Sequence, residues 1–436
     1  METNREMVNS GIPWIGDVPK SWKIVRNKDV FNNSKTLVGE NWINTQLLSL
    51  TTKGIKPVVI GSTSGKVPDS YETYQVVEKD NLVMCLFDLD CSAVFSGLSP
   101  ICGMISPAYK ALTIKKGYSP DFYAKWFDYI FDGRKFMFLS KNIRYSLTYD
   151  EFASLQVVAP SLSEQQRIAE FLDRKCAEVD EMIALQEQII EELKAYKQSV
   201  ITEVVTKGLN PDAPMRDSGI EWIGQIPEHW ETHPFKAFYK TTKGLNITKE
   251  NLVESGMPVI SYGQIHSKLN SGVRVDEALI RFVPEEYLTT NPECLSKQHD
   301  LFFADTSEDR EGAGNVVYID IDTPIFAGYH TIIARPSEKV KSKYFAYLIQ
   351  TDAWRCQLRS RVSGVKVFSI SQKFINQTSV IIPPISEQQA IANYLDEKCA
   401  DIDSLIQTKQ SKIDSLKEYK KSIIYEYVTG KREVNE

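Results

Sequence analysis

Two stretches of the chain space their apolar side chains alternately four and three residues apart, which is typical of a helix packed along one stripe. The first runs over residues 161–207 and the second over 383–436, and no proline or glycine interrupts either periodic part. Each predicts a helix of about 44 residues, or roughly 65 Å at 1.5 Å per residue. The predicted interface between the helices consists of Leu172, Val179, Ile183, Ile190, Leu193, Leu395, Ile402, Ile406, Ile413 and Leu416.

Stripes of this length cannot be buried against a small domain, so we expect the two helices to pair with each other as an antiparallel coiled coil. Lys197 and Lys420 interrupt the two stripes at matching positions. Polar residues in such an interface can fix its register and direction. A stretch that simply faces solvent would show the same pattern, and the sequence leaves both interpretations open.

Both helices are predicted to begin at a serine that follows proline. Ser163 and Ser386 each have a glutamine three positions further on, at Gln166 and Gln389. This spacing is typical of a capping box, in which the two side chains bond the free amides of the first helical turn. We therefore expect Ser163 and Ser386 to be the N-caps.

The chain contains an internal duplication, and this repeat indicates its architecture more strongly than any local motif. Residues 10–22 (SGIPWIGDVPKSW) recur at 218–230 (SGIEWIGQIPEHW), and residues 163–177 recur at 386–400, an offset of 223. The stretches between these repeated parts show little similarity to each other. Constant ends with unlike middles predict one scaffold that carries two different surfaces.

The unlike middles alternate short apolar runs with Gly, Pro, Asn and Asp, a pattern that predicts strands separated by turns. The runs lie at 81–87, 111–114, 258–260, 316–321 and 331–334, and short helices are predicted at 119–131 and 342–354. The predicted class is α+β, with two mixed α/β domains related by pseudo-twofold symmetry and joined by the helix pair. The predicted boundaries are 1–160 and 208–382 for the domains, and 161–207 and 383–436 for the helices.

Charge alters this picture only through its distribution along the chain. The 436 residues carry a net charge of −6. Residues 161–207 hold 6 basic and 10 acidic side chains and residues 383–436 hold 8 and 10, so the remainder is balanced at 37 of each. The two helices therefore account for the acidic excess, and a basic face on the domains, and with it DNA binding, stays open.

Neither membrane insertion nor secretion is expected. The sequence has no run of eighteen apolar residues, and its polar first ten residues contain no apolar signal core. The cysteines form no CxxC pair and do not group with histidines, which fits free thiols in a reducing cytoplasm rather than disulfides or zinc ligands. They are Cys85, Cys91, Cys102, Cys176, Cys294, Cys356 and Cys399.

Motifs for catalysis, cofactors and metals are not found. The glycines at 312 and 314 lack the third glycine of a dinucleotide fingerprint, and residues 60–67 fail the phosphate-loop pattern at both ends. The five histidines are scattered; His266 and His330 are expected near a binding face, with a buried, hydrogen-bonded histidine as the alternative. We predict no catalytic residue, no metal site and no cofactor.

The duplicated motif Ser-Gly-Ile-x-Trp-Ile-Gly, completed by Pro-x-x-Trp, and the helix start Ser-Glu-Gln-Gln-x-Ile-Ala resemble those of the specificity subunits of type I restriction–modification systems. The resemblance covers essentially the whole chain. It implies a non-catalytic, cytoplasmic subunit whose two target-recognition domains each read one half of a bipartite, asymmetric site on double-stranded DNA. It further implies that the helices set the gap between the halves and dock two methyltransferase subunits, which use S-adenosylmethionine, and that restriction–translocase subunits join the complex.

Base-reading residues are expected among the Arg, Lys, Asn, Gln, Ser, Tyr and His side chains on loops beside the strands. The candidates in the first domain are Lys53, Lys56, Lys141, Asn142, Arg144 and Tyr145. In the second domain they are Tyr262, Gln264, His266, Arg310, Arg361, Ser363 and Lys366. For each of them, the alternative is an ordinary solvated loop residue.

Two other classes of protein remain open on the sequence. The chain could itself be a stand-alone DNA-modifying enzyme, although the failed motifs argue against it. It could also be a coiled-coil adaptor without a role on DNA. Methyl transfer by the isolated chain would identify the enzyme, and recognition domains without a basic concave face would favour the adaptor.

Overall fold

The structure is a computed structural model, and it describes residues 5–12, 15–61, 68–89, 92, 94–132, 145–362 and 367–434. The chain forms two compact units. The first unit consists of Met1–Glu187 with Gln410–Glu436, and the second of Gln188–Lys409. Short strands and helices alternate in both, which confirms the predicted α+β class.

The first half of the chain contains the strands β1 (Met7–Asn9), β2 (Asp17–Pro19), β3 (Lys23–Arg26), β4 (Phe31–Ser34), β5 (Leu47–Thr51), β6 (Gly54–Val58), β7 (Gln75–Val77), β8 (Leu82–Met84), β9 (Ser96–Leu98), β10 (Gly103–Ile105), β11 (Lys110–Ile114) and β12 (Gln156–Ala159). Its helices are α1 (Asn27–Val30), α2 (Pro120–Asp132), α3 (Tyr149–Ser154) and α4 (Leu162–Lys207).

The second half contains the strands β13 (Met215–Asp217), β14 (Gln225–Pro227), β15 (Glu231–Pro234), β16 (Tyr239–Lys243), β17 (Met257–Ile260), β18 (Arg281–Val283), β19 (Leu301–Ala304), β20 (Thr306–Ser307), β21 (Val316–Tyr318), β22 (Phe326–Ala327), β23 (Thr331–Pro336), β24 (Phe368–Ser369) and β25 (Ser379–Ile382). Its helices are α5 (Tyr262–Ile265), α6 (Tyr287–Thr290), α7 (Ser342–Ile349), α8 (Asp352–Arg359), α9 (Gln372–Asn376) and α10 (Ile385–Val428).

The first unit is built on two four-stranded sheets, with strand orders β6-β5-β10-β7 and β4-β11-β8-β9. Helix α2 supplies the apolar face that covers the second sheet. Tyr123 and Phe127 on this helix lie with ring centroids 5.4 and 5.8 Å from Phe31 of β4. All three side chains are almost fully buried, so the aromatic contacts form the centre of the core.

The second unit contains a sheet of order β16-β23-β19-β21 and a smaller one of order β18-β17-β22. In its core, the ring of Phe235 stacks on that of Tyr239 at 4.4 Å, and Trp354 is fully buried beside both Phe235 and Phe303. The same closing element ends both domains: β12 pairs antiparallel with β3, and β25 with β15, just before a long helix begins.

The predicted long helices are confirmed as α4, with 46 residues, and α10, with 44. Segments of the two helices run antiparallel within each unit. In the first unit, the ring of Phe171 lies 4.5 Å from that of Tyr427, while Asp180 pairs with Lys420. In the second unit, Lys207 and Glu387 line one cavity, while Lys197 pairs with Asp403.

The start of both helices differs from the prediction. Because α4 begins at Leu162 and α10 at Ile385, Ser163 and Ser386 lie inside the first turn and are not N-caps. The repeated feature at this point is a buried glutamine. The side-chain amides of Gln165 and Gln388 donate to the carbonyls of Pro160 and Pro383, each at 2.8 Å. These glutamines tie the closing strand to the helix.

Each long helix is followed by a glycine that packs against the tryptophan ending the repeated motif. Gly208 has a φ of +77° and Gly430 one of +73°. A Cβ added at Gly208 would lie 3.2 Å from the ring of Trp230, and one at Gly430 would lie 2.9 Å from that of Trp22. Both the left-handed backbone and the close approach therefore require glycine.

Replacing Gly430 with alanine should lower the free energy of unfolding by about 3 kcal/mol, since backbone strain adds to overpacking. An added Cβ would lie 2.4 Å from Cδ of Pro19. Gly11 is the matched control, because its φ is also +73° and no atom lies within 4 Å of an added Cβ. We expect Gly11→Ala to cost only about 1 kcal/mol. Equal losses for the two variants in urea unfolding would contradict this packing argument.

Across the residues that the structure describes, no helix combines the length and the apolar character needed to cross a lipid bilayer.

Candidate nucleic-acid interface

The candidate DNA-contacting residues of the first unit lie on separate elements. Lys53 is exposed in the turn between β5 and β6, and Lys56 is exposed on β6 itself. Tyr145 has a φ of +50° and packs against the core of its unit. Lys141, Asn142 and Arg144 lie outside the described residues.

The second unit places Tyr262 and Gln264 on the short helix α5, directly after the buried strand β17. The side-chain oxygen of Gln264 accepts from the amide of Ser261 at 3.1 Å, which closes the first turn of α5. Tyr262 is half-buried, and its ring contacts those of Tyr329 and His330, both at a centroid distance of 5.5 Å.

His266 follows α5 and uses both ring nitrogens within the protein. Its Nε2 lies 2.7 Å from the carbonyl of Thr306, and its Nδ1 lies 3.0 Å from the side-chain nitrogen of Asn315. A carbonyl only accepts, so Nε2 carries the proton and Nδ1 accepts from Asn315. This arrangement favours a positioning role for His266, while direct contact with a base stays a prediction.

A group of arginines braces the loop that carries Arg310. Arg355 donates to the side-chain oxygen of Asn315 at 2.8 Å and to the carbonyl of Ile349 at 3.1 Å. Burial, together with the nearby charge of Arg359, lowers the pKa of Arg355 to about 10, so it stays charged at neutral pH. The guanidinium of exposed Arg310 donates to the carbonyl of Arg359 at 2.9 and 2.8 Å.

Arg361 is exposed just beyond α8, where the basic loop of the second unit begins. Ser363 and Lys366, further along that loop, lie outside the described residues. Tyr262 and His266 lie at α5, and His266 contacts Asn315 at the end of the loop that carries Arg310; we call Tyr262, His266 and Arg310 the second rim. Asn315 and Arg355, which hold this rim together, were missed because no sequence motif links residues 266, 315 and 355.

Most predicted helix-interface residues are buried. Leu172, Val179, Ile190, Leu395, Ile402, Ile413 and Leu416 are 9% exposed or less, and Ile183, Leu193 and Ile406 are half-buried. The two lysines in this stripe are paired: Lys197 lies 2.7 Å from Asp403, and Lys420 lies 2.7 Å from Asp180. Each partner is the repeat equivalent of the other, since 180 and 403 also differ by 223. The pairing favours a role in register over a solvent-facing stretch.

Exposed apolar side chains recur at equivalent positions beside this stripe. Tyr196 is 51% exposed and its repeat equivalent Tyr419 is 49% exposed. Met182 and Leu405, which are also equivalent, are 41% and 50% exposed. Large side chains are thus exposed at the same helix positions in both repeats.

Among the described residues, no group of three or more His, Cys, Asp and Glu side chains is placed to hold a metal ion. The second rim offers hydrogen-bonding and cationic groups.

The family to which the chain belongs follows from comparison with known proteins. Residues 19–195 and 227–418 both match the type I restriction modification DNA specificity domain, and the chain belongs to that family. The two matched ranges contain most of the two domains and much of both long helices.

Two characterised relatives are themselves specificity subunits. The chain is 25% identical over 286 residues to the specificity subunit of the type I restriction enzyme MjaVIII from Methanocaldococcus jannaschii, covering 64% of this chain and 63% of that protein. It is 22% identical over 212 residues to the EcoKI specificity subunit of Escherichia coli, covering 48% of this chain and 44% of that protein. The matches thus span between 44% and 63% of these relatives.

Two solved structures share the fold. A chain from a study of type I R-M complex assembly and conformational transition superposes with a TM-score of 0.71 at 14% identity, covering 95% of this chain and 99% of that chain. The HsdS subunit of Thermoanaerobacter tengcongensis superposes with a TM-score of 0.53, also at 14% identity, covering 95% and 98%.

Proposed function

We propose that this chain reads DNA sequence for a type I restriction–modification complex and performs no catalysis itself. The domains at 1–160 and 208–382 each read one half of a bipartite, asymmetric site on double-stranded DNA. The observation that supports this proposal is that the two domains share one scaffold but differ in the surfaces that they carry. Both domains end in the same closing strand and long helix, whereas the loops between their sheets carry different side chains.

Exposed cations on strand β6 and on the candidate recognition loops suit this role. Lys53, Lys56, Arg310 and Arg361 are all exposed and can reach phosphates or base edges. Arg361 lies just beyond the end of helix α8 and is exposed. Arginine is the side chain best suited to a bidentate contact with guanine.

Replacing Arg361 with alanine should weaken binding to the specific site by about 1–3 kcal/mol, the usual contribution of a bidentate base contact. The site is first identified by comparing the methylomes of the host with and without this gene. Affinity of the complex with its methyltransferase subunits is then measured at one fixed salt concentration. Arg281→Ala is the control, since Arg281 is an exposed arginine on β18 whose guanidinium bonds carbonyls of its own loop.

An unchanged affinity of Arg361→Ala would show that this loop is not part of the DNA interface. An equal loss of affinity in Arg281→Ala would indicate a nonspecific charge effect. A labelled S-adenosylmethionine assay addresses catalysis. Methyl transfer by the isolated chain would contradict the non-catalytic role.

The long helices are proposed to dock two methyltransferase subunits, through which restriction–translocase subunits join. Tyr196 in the second unit and Tyr419 in the first are equivalent, exposed and aromatic. A surface that is repeated in both units suits two copies of the same partner, one for each unit. Because aromatic anchors dominate interface energies, each tyrosine is expected to contribute strongly to its own site.

Replacing Tyr196 or Tyr419 with aspartate should therefore remove one methyltransferase subunit, and the double variant should bind none. Mass measurement of the assembled complex gives the stoichiometry directly. Leu209→Asp is the control, because Leu209 is 43% exposed in the second unit but lies beyond the end of α4. Two bound subunits in the double variant would place the docking surface elsewhere.

A further inference from the structure

We propose that Asp305, His330 and Tyr262 form a base-reading cluster in the second unit, and that Asp305 recognises the amino group of a cytosine. The inference rests on the proposed function, which it deepens by assigning one base contact to one carboxylate. The cluster lies beside the second rim, since Tyr262 belongs to both.

Asp305 and His330 are accessible and paired with each other. The side chain of Asp305 is 32% exposed and that of His330 is 57% exposed, and Nδ1 of His330 lies 3.1 Å from the carboxylate. A carboxylate accepts only, so Nδ1 donates to it. Nε2 of His330 makes no hydrogen bond within the part of the chain that the structure describes, and the second carboxylate oxygen is left to accept from a ligand.

The backbone presents these side chains on a rigid platform. The amide of Asp305 donates to the carbonyl of His330 at 3.0 Å, and the amide of Tyr262 donates to the carbonyl of Tyr329 at 3.2 Å. His330 itself has a φ of +54°, a conformation that is rare outside glycine. Three segments, after β17, β19 and β22, are thereby locked together, which limits the entropy lost when the cluster binds.

Gly328 completes the platform, because it lets the turn before His330 approach α5. Its amide donates to the carbonyl of Ile260 at 2.7 Å. An added Cβ at Gly328 would lie 2.0 Å from the hydroxyl oxygen of Ser261. The turn cannot shift away from α5 without losing this contact, so the positions of Tyr262 and His330 are coupled.

The chemistry of the cluster selects its ligand. A carboxylate at a DNA surface is repelled by phosphates and gains only where it meets a hydrogen-bond donor. In the major groove, the cytosine N4 amino group is the donor that Asp and Glu recognise. The same carboxylate disfavours a base edge that offers only acceptors there, so one group both attracts the right base pair and rejects others.

The comparable place in the first unit carries different chemistry. Tyr109 directly precedes β11 as His330 directly precedes β23, and its ring lies 5.7 Å from that of Phe87. The correspondence extends to the neighbouring backbone: Leu147 donates to the carbonyl of Leu86, and its repeat equivalent Ile370 donates to that of Asp305. By this backbone correspondence Leu86 stands where the second unit has Asp305, so the two domains present different side chains from one frame.

The test measures binding of the complex with its methyltransferase subunits to the cognate duplex and to every single-base-pair substitution of it. Asp305→Asn removes the charge at constant size, and His330→Asn tolerates the positive φ. His233→Asn is the matched control, because His233 is an exposed histidine of the second unit that also pairs with a carboxylate, Glu231 at 2.7 Å.

Asp305→Asn should bind the cognate duplex about tenfold more weakly or worse and lose discrimination at one G·C pair in one half-site. His330→Asn should weaken discrimination at the same pair, while His233→Asn and the other half-site stay unchanged. An unaltered substitution profile, or a uniform loss at all positions, would overturn the inference. A wild-type complex without any sequence preference would instead contradict the proposed function itself.

Discussion

Leu172→Asp is expected to unfold the first unit under conditions where the wild-type protein is stable. Leu172 is fully buried in a core shared by α2, the start of α4 and the end of α10, where it is clustered with Ile423 and Tyr427. A carboxylate at this position would be cut off from water. We expect a loss of at least about 4 kcal/mol in the free energy of unfolding, measured by urea denaturation.

Two further substitutions on the same helix test whether the loss of stability depends on how deeply the replaced side chain is buried. Ile183 is half-buried beside the Asp180–Lys420 ion pair, and Leu185 is 51% exposed. Ile183→Asp should therefore cost less than Leu172→Asp, and Leu185→Asp should change stability by no more than about 0.5 kcal/mol. Equal losses for all three variants would mean that helix propensity, rather than packing, governs this segment.

The different burial of these three positions could be predicted largely from the sequence, because the apolar spacing of a long helix shows which of its side chains face inward. Leu172 and its repeat equivalent Leu395 were both placed in the predicted interface, and both are fully buried. The duplication also predicted matching ends for the two domains. The apolar spacing recurs in every helical turn, so a wrong assignment at one residue hardly changes the predicted helix or its buried face.

Local boundaries were predicted less well, because single side chains decide them. The helix expected at 342–354 is divided into α7 and α8. Thr351 caps α8, with its hydroxyl accepting from the amide of Trp354 at 3.3 Å. The apolar spacing runs through this break, so periodicity alone could not reveal it; the threonine was the local signal.

The second rim and the cluster beside it depend on contacts between residues distant in sequence, and these could not be predicted. Asp305 and His330 are 25 residues apart, and His266 and Asn315 are 49 apart. Which loop residues meet depends on how the surrounding strands pair. The sequence could therefore indicate loop residues of a type suited to DNA recognition. It could not indicate which of these residues would contact bases and which would position the contacting residues.

Asn315→Leu should lower the free energy of unfolding by about 3 kcal/mol and also weaken sequence-specific binding. The substitution removes the acceptor of Arg355 and the donor to His266 together. Arg355 would then be left as a partly buried charge without its side-chain partner, which is costly. The loop that carries Arg310 would lose its brace, so discrimination in one half-site should fall along with stability. Urea denaturation and the duplex substitution panel measure the two effects.

Asn315→Asp separates the two halves of this network at nearly constant size. A carboxylate still accepts from Arg355, but it cannot donate to Nδ1 of His266 in the tautomer fixed by Thr306. We therefore expect a smaller stability loss than in Asn315→Leu, because the buried guanidinium keeps its partner. If Asn315→Asp proved as destabilising as Asn315→Leu, the contact with His266 would be the main support of the loop and Arg355 would be secondary. The order of the two variants thus decides which contact holds Arg310 at the second rim.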